Sequence, residues 1–98
     1  MAVSLDILLA GLRAAGEPTR LRILGLLSRA ELTVSELTQI LGQSQPRVSR
    51  HLKLLDDAGL IERFREGTWV FCRLCDSGVA GALSTKIVEL LPADASEL

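Results

Sequence analysis

The chain has 98 residues, a formal net charge of −1 and 48% hydrophobic residues, with a mean hydropathy of +0.32. That length suits one domain with a small core, because a chain this size buries only roughly 60–65% of its unfolded surface. No apolar run approaches the ~18–20 residues of a membrane span; Asp6 and the lack of a basic residue before Arg13 do not read as a secretory signal; and Cys72 and Cys75 are too few and too close for a secreted disulfide framework. These features predict a cytoplasmic protein, and its surplus of apolar side chains predicts a subunit interface.

Leu5, Leu8, Leu9 and Leu12 follow helical spacing, and Gly16 suits the end of that first helix. Pro18 stands where a first helical residue is expected. Leu21, Ile23, Leu24, Leu26 and Leu27 then make a second helix apolar around much of its girth, which predicts a central place in the core. Thr33-Val34-Ser35-Glu36 is a capping box that starts a short third helix, with Leu32 and Leu37 as its hydrophobic staple. Val34, Leu37, Ile40 and Leu41 are expected to face inward, and Gly42 to end the helix.

A fourth helix follows almost at once. Ser44 can cap it, and Pro46 is tolerated in its first turn. On a helical wheel, Leu52 and Leu55 fall within ~40° of Val48, whereas Arg50 lies ~200° away with Arg47 and Lys53 ~60° to either side. One face is therefore core and the opposite face basic. Leu54 falls on the basic side and is expected to pack on a neighbouring strand. Gly59 ends the helix. Leu60 to Arg65 and Thr68 to Leu74 read as strands flanking a Glu66-Gly67 turn. Val79, Leu83, Ile87 and Leu90 then repeat at helical spacing until Pro92.

Two helices joined by a short glycine-containing turn form a helix-turn-helix, and a hairpin directly after the second is a wing. The expected fold is mainly α with a small β-hairpin, a winged helix-turn-helix over residues 1–91, followed by an acidic tail or the start of a linker at 92–98. Charge distribution adds a function to this fold. Between Gln43 and Leu55 stand Arg47, Arg50 and Lys53 with no acid, whereas from Asp76 onward there are four acids and a single base, Lys86. A local basic face binds phosphate whatever the total charge.

The combination resembles the ArsR family of bacterial winged-helix repressors. The resemblance rests on Glu17-Pro18-Thr19-Arg20-Leu21-Arg22-Ile23-Leu24, Glu31-Leu32-Thr33-Val34-Ser35-Glu36-Leu37, Ser44 to Leu55, Ala58-Gly59-Leu60-Ile61, and the wing Arg65-Glu66-Gly67-Thr68-Trp69-Val70. It covers nearly the whole chain. It implies a homodimer through the first and last helices, a recognition helix at Ser44–Leu55, and a wing that touches the backbone or minor groove of double-stranded DNA. Many family members release DNA on binding metal ions or metalloids. The arsenic- and lead-type members use cysteines where this chain has Thr33 and Ser35, and hydroxyls are poor ligands for soft ions. The last helix has no histidine for the other common site.

The expected DNA-contacting residues are Ser44, Gln45, Arg47, Ser49, Arg50 and Lys53 on the helix, and Arg63, Arg65 and Gly67 on the wing. Arginine pairs bidentately with guanine, glutamine reads adenine, and serines suit phosphate or base contacts. His51, the single histidine, sits ~60° from Val48 at the margin of the core face and reads as a partly buried structural residue. Cys72 and Cys75 form one C-x-x-C, too few ligands for a tetrahedral zinc site. They read as apolar fillers or as a thiol sensor for arsenite or oxidants. No catalytic set is present, and neither a metal site nor a cofactor is expected; the inducer is open. The main alternative is the DNA-targeting N-terminal domain of a longer S-adenosylmethionine-dependent methyltransferase. Asp94-Ala95-Ser96-Glu97 resembles a further capping box, and the tail resembles the linker of such fusions.

Overall fold

Five helices and three short strands make up the computed structural model, which describes residues 4–92. They run α1 (Leu5–Ala15), α2 (Pro18–Leu27), β1 (Leu32–Thr33), α3 (Val34–Leu41), α4 (Gln45–Asp57), β2 (Ile61–Glu66), β3 (Trp69–Leu74) and α5 (Gly78–Leu90). The expected tail lies outside the described residues except for Pro92.

Local chemistry sets most of the helix ends. Pro18 opens α2 behind Glu17, whose carboxylate accepts the Arg20 backbone N–H. The capping box at α3 is complete: Thr33 Oγ1 accepts from the Glu36 N–H, and Glu36 accepts from the Thr33 N–H. Gly42 closes α3 at φ 65°, a left-handed conformation that costs glycine little. Gly16 closes α1 at an ordinary φ of −77°, so its role needs no left-handed turn. Ser44 holds the cap position of α4, but its side chain makes no capping bond.

α2 is central, as its apolar girth predicts. It packs against α1, α4, α5 and β3, and Ile23 and Leu24 are wholly buried. Val48, Leu52 and Leu55 from α4, Leu37 from α3, and Leu60 and Ile61 complete the core. Ile40 does not join it and stays exposed, because α3 buries only the Leu37–Leu41 side. Leu54 is also exposed; in place of the expected strand neighbour, it lines a groove with Ala10, Arg13 and Ala14 of α1.

The sheet has one more strand than the sequence pattern suggests. β1 pairs antiparallel with β3, Leu32 opposite Cys72 and Thr33 opposite Phe71, giving the order β1-β3-β2. The hairpin turn is Gly67-Thr68, one residue later than expected, with Glu66 paired to Trp69. Gly67 at φ 60° in the first central position suits a two-residue hairpin loop. Leu60 precedes the strand; its carbonyl accepts from the Cys75 N–H and from Ser84 Oγ, which ties the hairpin to α5.

α1 and α5 lie side by side. A Cβ on Gly11 would come within 2.6 Å of Leu83 Cδ2, so the absence of a side chain permits this approach. Leu5, Ile7 and Leu12 on α1 and Leu90 on α5 remain exposed.

Candidate nucleic-acid interface

α3 and α4 are joined by Gly42, Gln43 and Ser44, and this turn is pinned to α2 by a 3.1 Å bond from Gln43 Nε2 to Thr19 Oγ1. With Val48, Leu52 and Leu55 wholly buried, the orientation of α4 about its axis is settled by packing. Gln45, Arg47, Arg50 and Lys53 are consequently exposed, as is Ser44, while Ser49 is half-buried. Among the described residues Arg47 and Arg50 form no salt bridge. The Ser44 hydroxyl makes no capping bond.

Two expected contacts are already engaged. Lys53 Nζ lies 2.8 Å from Asp57 Oδ2, one turn along α4. Arg63 Nε lies 2.8 Å from Asp56 Oδ2, so this wing arginine braces β2 against α4. Arg65, two residues nearer the turn on the same strand face, is exposed and carries no such pair among the described residues, and Gly67 is exposed in the turn. The opposite sheet face is aromatic. Phe64 stacks on Phe71 at 5.5 Å between centroids, and the Arg73 guanidinium sits 4.9 Å above Phe64.

His51 has partners that its sequence neighbourhood does not reveal. Arg20 Nη1 is 3.1 Å from His51 Nδ1, and Arg20 Nε donates to the Ala14 carbonyl. Glu17 Oε2 lies 3.7 Å from the same ring nitrogen. A guanidinium only donates, so Nδ1 accepts and the neutral ring carries its proton on Nε2. Burial lowers the His51 pKa; Glu17 works against this, but Arg20, Arg47 and Arg50 reinforce it, leaving the ring below its usual value. Burial raises the Glu17 carboxyl, yet the Arg20 and Thr19 backbone N–H groups and the charges of His51 and Arg20 outweigh it, and its pKa is lowered.

The cysteines do not form a matched pair. Cys72 is wholly buried on the core side of β3, and burial pushes its thiol up to about 11. Cys75 lies beyond the strand end, half-buried, with Sγ 3.5 Å from the Ser77 carbonyl. Thiolate is the reactive species. An Ellman titration at neutral pH is therefore expected to count one thiol per native chain and two in denaturant. Two fast native thiols would favour the sensor reading. Thr33 Oγ1 is committed to its capping bond. Among the described residues no group of three or more histidine, cysteine or acidic side chains is placed to hold a metal ion, and no helix is long and apolar enough to cross a membrane.

Comparison with known proteins agrees with this geometry. The family described as "Bacterial regulatory protein, arsR family" matches residues 17–63, from the cap of α2 into β2. The arsenical resistance operon repressor of Bacillus subtilis is 38% identical over 76 residues, which is 76% of this chain and 72% of that one. The Escherichia coli repressor of the same name is 49% identical over 59 residues, 59% of this chain; the match spans only 50% of that protein's length. The solution structure of a homodimeric winged helix-turn-helix DNA-binding domain from Mycobacterium bovis superposes with a TM-score of 0.74 at 31% identity, covering 87% of this chain and 81% of that one. With the motif, the wing and the relatives in agreement, the chain belongs to the ArsR family of bacterial regulatory proteins.

Proposed function

We propose that the chain is a sequence-specific double-stranded DNA-binding transcriptional repressor that acts as a homodimer in the cytoplasm. The observation that carries this reading is α4: one face is locked in the core, and the other presents Arg47 and Arg50, without ion-pair partners among the described residues, beside a wing that presents Arg65. A helix on such a turn enters the major groove, where base edges are distinguishable. The wing reaches phosphates or the minor groove. Ser44, Gln45 and Ser49 line the start of the same helix and supply neutral contacts; Lys53 and Arg63 contribute charge while braced by Asp57 and Asp56. Two of the relatives described above are named as operon repressors, which favours this reading over a domain that targets a methyltransferase.

The dimer rests on apolar side chains that one chain leaves uncovered. Leu5 is 65% exposed, Leu12 48% and Leu90 85%, all on the paired α1 and α5. A second copy related by two-fold symmetry would cover both helices and place two α4 helices on one side of the DNA. Selection from a random duplex pool is expected to recover a two-fold symmetric site with half-sites about 10 bp or a multiple apart. Sedimentation at micromolar concentration should show a dimer, and Leu12→Glu should shift it toward monomer. A stable wild-type monomer, or a pool with no enriched sequence, would count against the proposal.

A further inference from the structure

Between the N-terminus of α2 and α4 lies a groove of about 310 Å³ lined by Glu17, Thr19, Gln43, Arg47, Arg50 and His51. Gln43 spends one amide proton on Thr19 Oγ1. The amide's second proton and the Thr19 hydroxyl proton remain to be donated. Of the lining side chains, Arg47 and Arg50 are exposed and His51 is 17% exposed. We propose that this groove seats a backbone phosphate of bound DNA and that His51 takes up a proton as the phosphate enters. The proposal rests on the DNA-binding reading and adds to it a coupling between binding and pH.

The charged groups that face the ring are Glu17 and Arg20 from α2 and Arg47 and Arg50 from its own helix. In the free protein the three cations oppose a fourth charge on His51, and Arg20 occupies Nδ1 as a donor. Bound DNA changes this balance. Nearby phosphates offset the charges of Arg47 and Arg50, and the seated phosphate adds an anion beside Glu17. Opposite charge nearby favours the protonated ring. A proton on Nδ1 then has the Glu17 carboxylate, 3.7 Å away, as its partner, while Arg20 keeps the Ala14 carbonyl.

The sign follows from linkage. If the bound form holds the proton more tightly than the free form, acid strengthens binding. The effect is absent above the bound-state pKa, complete below the free-state pKa, and develops between them. A rise of one unit in the ring's pKa corresponds to about tenfold tighter binding per protomer on the acid side.

Because His51 is the single histidine, one imidazole signal reports the event. The test is an NMR pH titration of that ring, free and bound to the duplex recovered by selection, at fixed ionic strength. Anisotropy measurements of affinity from pH 8 to pH 5.5 accompany it. The midpoint is expected to rise on DNA, and affinity to rise as pH falls. His51→Gln, confirmed folded by circular dichroism, should bind with a flat pH profile. Thr19→Val combined with Gln43→Ala should weaken binding and shrink the midpoint shift. An unmoved or lowered midpoint on bound DNA overturns proton uptake, as does a His51→Gln profile as steep as wild type. An undiminished shift in the Thr19/Gln43 variant overturns the phosphate seat. A duplex that fails to bind at any pH overturns the DNA reading itself.

Discussion

Arg47→Ala combined with Arg50→Ala is expected to lower affinity for the selected operator by about thirtyfold to twenty-thousandfold per protomer, with the fold unchanged. The range follows from two good bidentate arginine–base contacts, each worth about 1–3 kcal/mol of discrimination, at tenfold per 1.4 kcal/mol. Both side chains are exposed on α4 and form no ion pair among the described residues, so truncation leaves no buried group without a partner there. Affinity for scrambled DNA should fall less, because only the electrostatic share is lost there. Arg65→Ala supplies the contrast. On the wing it should weaken operator and scrambled DNA alike and make the salt slope shallower by about one unit per protomer. A salt titration of wild type and both variants on the two duplexes measures all of this. Reversed patterns would exchange the roles of helix and wing; no change in either variant would make the basic face a solvated surface.

Leu52→Ala should have the opposite profile, a loss of stability rather than of recognition. Leu52 is wholly buried on α4 within the cluster that includes Ile23, Leu24, Leu37, Val48 and Leu55. Cutting such a side chain costs about 2–5 kcal/mol through lost burial and the cavity left behind. That is a large share of the ~5–15 kcal/mol that holds a typical domain folded. Urea unfolding at fixed protein concentration checks it, since a dimer's midpoint depends on concentration. A loss below about 1 kcal/mol would mean that α4 is not anchored by this cluster. Together the two variants test the proposed division of one helix, recognition on the outer face and the fold on the inner.

Much of that division is legible in the residues themselves. The capping box at Thr33 and Glu36, the proline at the start of α2 and the left-handed Gly42 act within a few residues, so local chemistry alone marks the helix ends. The 3.6-residue period sorts Val48, Leu52 and Leu55 from Arg47 and Arg50 before any tertiary contact exists. The same period failed at Ile40; at Leu54 it gave the outward direction correctly but not the neighbour, which is α1, because it gives a direction around an axis and not what stands in that direction.

The features that periodicity missed depend on pairing between distant segments. β1 has two residues, too short for an alternation to show, and exists because β3 lies beside it. Cys72 and Cys75 look like one motif along the chain, but the strand end between them buries the first and leaves the second half-exposed. Arg63 and Lys53 count equally in a charge tally with Arg47 and Arg50, until packing sets Asp56 and Asp57 against them. His51 meets Arg20 from 31 residues away, on a different helix. Hydrogen bonding within a turn and the spacing of apolar side chains are local properties that composition and order determine. Ion pairs, strand neighbours and the proton balance of a ring depend on distances between elements, and only the packed chain sets those distances.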